Sequence, residues 1–276
     1  MEEKRRLGIP TKKTIMKKKL NYKVIFIVLT ILIFGVIIAL CFFESKKNYV
    51  LKEYSPSGKL IGTNEYILRN GDTIMQGKFV NYNEKGIKIS EGQFTENEPN
   101  GICSYYYDNG KIKSVYYRKS SKILLESTFY NLNGLLEKYA MYDEFGKEAF
   151  IINFDEKGAT KYNGYLQLET YQYKFSHKKQ FNIKEDQNLK VGDKLKYSYL
   201  VANIPNAKCS FKIENISIDN SKAKRTLKHV PPTRIDVEEV LTKKGKNTIR
   251  SIVRYEFKDK VTPVFIDTLS FDVNVN

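Results

Sequence analysis

The sequence predicts a mainly β protein behind one N-terminal transmembrane helix, with an antiparallel β-hairpin repeat array followed by a small β-sandwich. Three observations carry that expectation. Val24 to Phe43 is an apolar run without a charged residue. From Tyr54 to Gly158 an aromatic residue keeps returning four positions ahead of a glycine. Beyond residue 189, apolar and polar residues alternate with period two, the pattern of strands with one buried face.

Residues 1–23 are a basic tail, with cations from Lys4-Arg5-Arg6 to Lys17-Lys18-Lys19 against Glu2 and Glu3. The tail holds nearly half of the formal net charge of +16. It is too charged to form a core, and anionic lipid headgroups are its expected partner, at about 1 kcal/mol per Lys or Arg near the surface. Residues 24–43, rising about 1.5 Å each, match the roughly 30 Å of a bilayer's hydrocarbon. Cations before the span outweigh Lys46 and Lys47 after it, so the N-terminus is expected in the cytoplasm and the remainder in the periplasm or outside the cell. A cleaved signal peptide and a lipidated Cys41 are the processing alternatives. Leu40-Cys41-Phe42-Phe43 sets bulky groups where small ones are required, so Cys41 is expected as an apolar thiol in the span.

Residues 50–165 are expected to form the array. The phrase appears as Tyr54…Gly58, Tyr82…Gly86, Tyr130…Gly134, Tyr142…Gly146 and Phe154…Gly158, and shortens by one in Tyr107-Asp108-Asn109-Gly110. Further turn signals at Asn70-Gly71, Glu98-Pro99-Asn100-Gly101 and Ser120-Ser121 leave a break every dozen residues or so, room for one strand and its turn with no helix between. Asn-Gly at Asn70-Gly71, Asn109-Gly110 and Asn133-Gly134 suits two-residue hairpin turns, which need positive φ. A single hairpin is marginal alone, so the recurrent rings are expected to cover the next hairpin and to be mainly core.

The Tyr-x-x-x-Gly-Lys pieces, the turn at Asn100-Gly101 and Tyr105-Tyr106-Tyr107 before Asp108-Asn109-Gly110-Lys111 resemble the variant MORN repeat found in bacterial proteins labelled YwqK-type antitoxins. The resemblance covers about residues 54 to 165 and departs from the pattern at Ser121 and over Ile123 to Phe129. It implies a β-hairpin meander, and, as one alternative function, an antitoxin-like protein that binds and neutralises a toxin.

Residues 166–188 are expected to be a linker, since glycine stops recurring after Gly164 and His177-Lys178-Lys179-Gln180 interrupts any strand. In residues 189–276, Leu195, Tyr197, Tyr199 and Val201 share one parity, as do Ser251, Val253, Tyr255 and Phe257, and Leu269, Phe271, Val273 and Val275. Phe211 and Ile213 fall out of phase with Ile216 and Ile218, which suggests a β-bulge near Glu214-Asn215. A strand over Thr233 to Leu241 completes a small sandwich. The opening Val191-Gly192-Asp193-Lys194 and the Lys-Gly-Lys-Asn turn resemble bacterial immunoglobulin-like domains, which implies no activity.

The chemical inventory is thin. No Cys/His spacing suggests zinc, and Cys103 and Cys209 are expected as separate core thiols. Asp186, Asp193, Asp219 and Asp236 sit in no calcium loop, so neither metal nor cofactor is expected. Asp143-Glu144 and Asp155-Glu156 stand beside turn glycines, where carboxylates serve the turn; an envelope hydrolase using such loop carboxylates is the catalytic alternative. Nucleophile-elbow, phosphate-loop and dinucleotide signatures are missing, so no enzyme is expected. The basic excess is assigned to lipid and a solvated surface rather than nucleic acid. The expected function is a non-catalytic membrane-anchored envelope scaffold or binding protein, holding an unidentified protein or envelope glycan. Tyr105, Tyr106, Tyr107, Tyr116 and Tyr117 are the expected contact residues, because so dense a cluster cannot all face inward.

Overall fold

The computed structural model describes Phe26 and residues 30–35, 48–170, 189–259 and 261–276. The tail 1–23, Cys41, most of the expected span 24–43 and residues 171–188 lie outside the described residues. Phe26 and residues 30–35 are helical, and Thr30 Oγ1 donates to the Phe26 carbonyl at 2.8 Å. Among the described residues no helix is long and apolar enough to cross a membrane. Asn48–Asn276 form one compact unit.

That unit is mainly β and antiparallel. Its first strands are β1 (Tyr49–Tyr54), β2 (Leu60–Arg69), β3 (Asp72–Tyr82), β4 (Lys88–Thr95), β5 (Glu98–Pro99), β6 (Gly101–Tyr106), β7 (Ile112–Arg118), β8 (Leu124–Tyr130), β9 (Leu136–Tyr142), β10 (Glu148–Asp155) and β11 (Gly158–Gly164). They lie in one 11-stranded sheet in chain order, except that the two-residue β5 pairs only with β4. β5 aside, each strand thus neighbours the one before it, as the turn spacing predicts.

Five turns share one build. The amide of Ser55, Asn83, Tyr107, Asn131 or Asp143 donates to the carbonyl four residues on, and the glycine amide returns to the first carbonyl, all at 2.8–3.0 Å. Gly58, Gly86, Gly110, Gly134 and Gly146 close these turns at φ of 77° to 86°, a left-handed geometry that glycine adopts without a Cβ penalty. The common build corrects two expectations. At Asn109-Gly110 and Asn133-Gly134 only the glycine has positive φ, so these are three-residue loops. In this frame the aromatic four places before Gly110 is Tyr106, so the repeat does not shorten there.

In all five turns the preceding aromatic is the last paired residue, at or beside a register shift, as in Tyr82↔Lys88 and Tyr106↔Ile112. The two-residue geometry does occur at Asn70-Gly71, and again at Glu96-Asn97, where φ is 53° and 65°. The second corrects the expected turn at Glu98-Pro99-Asn100-Gly101, which instead belongs to the returning strand. Gly158 also departs from the set: it pairs with Asp155 across a two-residue turn.

Alternation gives the sheet two distinct faces. On one, cross-strand pairing sets small residues beside rings: Ser90, Tyr105, Ser114 and Phe129 form one row, and Tyr116, Ser127 and Ala140 the next. Ser90, Cys103, Ser114 and Ser127 are buried beneath their larger neighbours. Gly92 has no side chain because the Phe79 ring would lie 2.8 Å from a Cβ there. This aromatic face is a covering of rings one layer deep. The opposite face carries Ile102, Val115, Tyr117, Glu126, Tyr139 and Phe150.

The sandwich comprises β12 (Gln167–Thr170), β13 (Lys194–Val201), β14 (Ala207–Asn215), β15 (Lys224–Val230), β16 (Arg234–Val240), β17 (Gly245–Phe257) and β18 (Phe265–Val275). Sheets β12-β13-β16-β15 and β14-β17-β18 face each other. Tyr197 meets Phe271 and Tyr199 meets Phe211 edge-on across them, at 5.3 and 5.2 Å. β12 lies within the segment 166–188 expected to be a linker. It joins the sandwich because Gln167 is buried, accepting from Ser251 Oγ at 2.9 Å and donating to the Asp267 carbonyl at 3.0 Å. The expected bulge near Glu214-Asn215 is absent, since β14 pairs evenly with β17 up to Asn215 and there ends. Cys103 is a free buried thiol, whereas Cys209, expected in the core, is free and exposed.

Array and sandwich share one hydrophobic core. Tyr139, Met141, Phe150 and Ile152 of the array cluster with Leu166, Leu200 and the sandwich interior. This explains why alternation fails late in β13, where Ser198 to Val201 are all buried: one side faces the partner sheet and the other the array.

Candidate binding site

The junction leaves a groove. The β15–β16 turn, with a cis bond between Pro231 and Pro232, stands over the array beside β7 and β8. Three clefts converge on these prolines. One of about 250 Å³ lies among Tyr117, Leu125, Tyr142, Leu200 and Arg234. A second of about 260 Å³ takes in Ile102, Tyr117, Glu126 and Asn203. A third of about 460 Å³ runs along Phe211, Leu227 and His229.

Polar contacts fix the groove's walls. Tyr139 Oη accepts the Asn203 amide at 2.7 Å and donates to Glu126 Oε1 at 2.7 Å, so one phenol ties the array to the sandwich. Burial lifts the Glu126 carboxyl to about 7, against the opposing hydrogen bond from Tyr139. Burial first, and the Glu126 charge second, hold the Tyr139 phenol well above its ordinary range. At the far end Arg234 holds Asp236 at 2.6 Å and reaches Glu144 of the array at 2.9 Å. The bond to Asp236 raises the guanidinium, and Arg234 in turn lowers the Asp236 carboxyl. Apolar and aromatic walls with a few fixed polar groups are the usual make-up of a ligand cleft.

The five tyrosines expected at the contact surface do not form one site. Tyr117 pairs with Ile102 and Glu126 and faces the groove, whereas Tyr116 pairs with Cys103 and Ser127 and faces the other way. Consecutive residues on a strand must diverge. Tyr105, Tyr106 and Tyr116 line a separate cleft of about 310 Å³ with Ile89, Lys113 and Arg118. There Tyr105 and Tyr116 meet edge-on at 5.5 Å, Phe129 continues the row at 5.7 Å, and the Arg118 guanidinium lies over Tyr116 at 5.3 Å. Tyr106 donates to Glu91 beneath the Lys88 ammonium. Tyr107 sits at a turn, its hydroxyl donating to the Tyr130 carbonyl at 2.8 Å.

Glu126, Tyr139, Tyr142, Asn203, Pro231, Pro232 and Arg234 were not candidates from sequence. Pro231-Pro232 between two strand patterns does announce a turn. Nothing local announces the burial of Glu126, which depends on Tyr139 and on Asn203 from another sheet. The loop carboxylates are committed to turns: Asp143 Oδ1 accepts the Phe145 and Lys147 amides at 2.9 and 2.8 Å, and Asp155 Oδ1 those of Lys157 and Gly158 at 2.8 and 3.1 Å. Among the described residues no group of three His, Cys, Asp or Glu is placed to hold a metal ion.

The chain matches no family model and no curated protein. Among solved structures it is similar to TarM, with TM-score 0.20 and 11% identity over 46% of this chain and 21% of that one. It is likewise similar to the S. aureus TarM mutant in complex with fondaparinux, α-GlcNAc-glycerol and UDP, with TM-score 0.20, 12% identity and 21% of that chain covered. The GtfA/B complex bound to UDP and GlcNAc gives TM-score 0.19, 11% identity and coverage of 42% of this chain and 24% of that one. The chain thus spans under a quarter of these proteins' length, and likeness at such TM-scores carries no argument about this one.

Proposed function

We propose that the chain is a non-catalytic binding protein of the bacterial envelope, anchored by a single N-terminal span with its basic tail on anionic lipid. Its β unit holds an envelope glycan or protein in the groove between array and sandwich. The observation that carries the reading is the convergence of three clefts on Pro231-Pro232, with Tyr117 and Tyr142 as aromatic walls. The apolar run at 24–43 and the charge ahead of it support the anchoring. The turn roles of Asp143 and Asp155 support a reading without catalysis.

The test is retention of the detergent-solubilised full chain on isolated cell-wall glycan and on immobilised envelope proteins. Tyr117→Ser combined with Tyr142→Ser should lower retention about tenfold or more, the effect of removing a central aromatic anchor. Tyr105→Ser with Tyr116→Ser, on the opposite face, should change it little. Retention indifferent to Tyr117 and Tyr142 sinks the groove reading. A hydrolase is the second reading, favoured by one observation: Glu126, with its carboxyl near 7, borders a cleft. Turnover of a wall polysaccharide that Glu126→Gln abolishes would establish it in place of the first.

A further inference from the structure

We infer that β1 is the interface of a symmetric dimer, in which two copies of this chain join their long sheets edge to edge. The common turn build allows equivalent positions to be compared between repeats. Seven places before the turn glycine stand Leu51, Phe79, Cys103 and Ser127. The last three are 8%, 2% and 1% exposed, whereas Leu51 is 40% exposed. The aromatic four places before the glycine is half-buried at Tyr82, Tyr106 and Tyr130, yet Tyr54 is 58% exposed. β3, β6 and β8, which carry those residues, each have a neighbour on both sides, whereas among the described residues β1 has β2 alone. β1 is therefore an interior strand by its side chains and an edge strand by its pairing. Among the described residues no strand pairs with the outer edge of β1, and such an edge, with exposed Val50, Leu51 and Tyr54, is a template for one more strand.

The occupant follows from charge and from the other end of the sheet. In an antiparallel self-pair with Leu51 on the two-fold axis, Lys52 of one copy faces Val50 of the other, and Glu53 faces Tyr49. No like charges meet, and sliding the axis to Lys52 sets two ammonium groups together. At the far edge of the array, β11 is covered by the sandwich: the Ala159 amide donates to Thr262 Oγ1 at 2.9 Å, and Tyr162 packs on Phe265 at 4.7 Å. With one edge covered and one open, pairing closes at two copies and cannot propagate into a filament.

The geometry is open to a direct test on the full-length chain in detergent. Residues on the axis of an antiparallel pair have Cα atoms about 4.5–5.5 Å apart, within the roughly 4.4–6.8 Å that a disulfide requires. With Cys209→Ser removing the exposed thiol and Cys41→Ser a second one, Leu51→Cys should be converted largely to a covalent dimer by copper phenanthroline in air. Leu68→Cys, on β2 and more exposed than Leu51, should remain monomeric on the gel. Light scattering of the unmodified chain should give a dimer whose dissociation constant rises at least about tenfold in Leu51→Lys, with circular dichroism unchanged. A monomeric mass throughout overturns the inference. So does a dimer that neither responds to Leu51→Lys nor cross-links through Leu51→Cys, because its interface then lies elsewhere in the chain.

Discussion

The two ends of the repeat sheet solve the same problem in different ways. Towards its amino end the sheet is a single layer whose rings cover its own small residues, Phe79 over Gly92 and Tyr116 between Cys103 and Ser127. Towards its carboxyl end β9 and β10 lay Tyr139, Met141, Phe150 and Ile152 against the sandwich, all at most 1% exposed. Depth of burial therefore follows from what a strand is laid against, not from its place in the repeat.

Two buried phenylalanines give the comparison its largest measurable contrast. Phe150 is enclosed by Tyr139 at 6.4 Å, Tyr162 at 5.9 Å and the sandwich core, so Phe150→Ala should cost about 3–5 kcal/mol. Phe79 is buried too, over Gly92 and beside Phe94 at 4.8 Å, but outside the core that array and sandwich share. Phe79→Ala should therefore cost only about 1–2 kcal/mol. Urea unfolding of the full chain measures both, and equal losses would show that the amino end is packed as deeply as the capped one.

Acidity sharpens the contrast further, because only the capped end buries a carboxyl in a cleft. Glu126 titrates at about 7 in the folded protein, above the roughly 4.3 of an unfolded chain, so folding favours its protonated form. Its contribution is fully present below the unfolded value and is lost as pH rises through the folded one. The span of the shift corresponds to roughly 4 kcal/mol, an upper figure since the group is not fully enclosed. Unfolding midpoints should fall between pH 5 and 8, and Glu126→Gln should flatten that decline. An unchanged slope in the variant would place the titration on another group.

How much of this was legible in the sequence differs between the two ends as well. Meander, turn glycines and strand parity are local properties, so Gly58, Gly86 and Leu195-Tyr197-Tyr199 announce themselves through spacing. The shared turn was partly hidden because Tyr105, Tyr106 and Tyr107 offer three aromatics where one position counts, and only the bond from the Tyr107 amide to the Lys111 carbonyl at 2.9 Å sets the frame. The groove was not legible. Glu126, Tyr139 and Asn203 meet through a fusion of two folds, and the strand that begins the sandwich, with Gln167, lay in a stretch that resembles a linker by composition. Tyr117 was singled out with its neighbours for density alone. Strand alternation separates it from Tyr116, a consequence that parity already contains.

The smallest effect concerns the lysine that follows the turn glycine, as in Gly58-Lys59 and Gly110-Lys111. In a basic protein such residues invite assignment to an anionic ligand. Here Lys59 Nζ donates to the Glu84 carbonyl at 2.9 Å and Lys111 Nζ to the Asn133 carbonyl at 3.0 Å, each reaching the next turn along one edge of the sheet. Lys113 and Arg118, by contrast, border the cleft of Tyr105 and Tyr116. Lys111→Met keeps the stem and removes only that exposed bond, so it should cost at most about 1 kcal/mol. Retention on anionic wall glycan should stay unchanged in that variant. A marked loss of retention with stability intact would instead make the turn edge a ligand-binding surface, shifting the site from the capped end of the sheet to its rim.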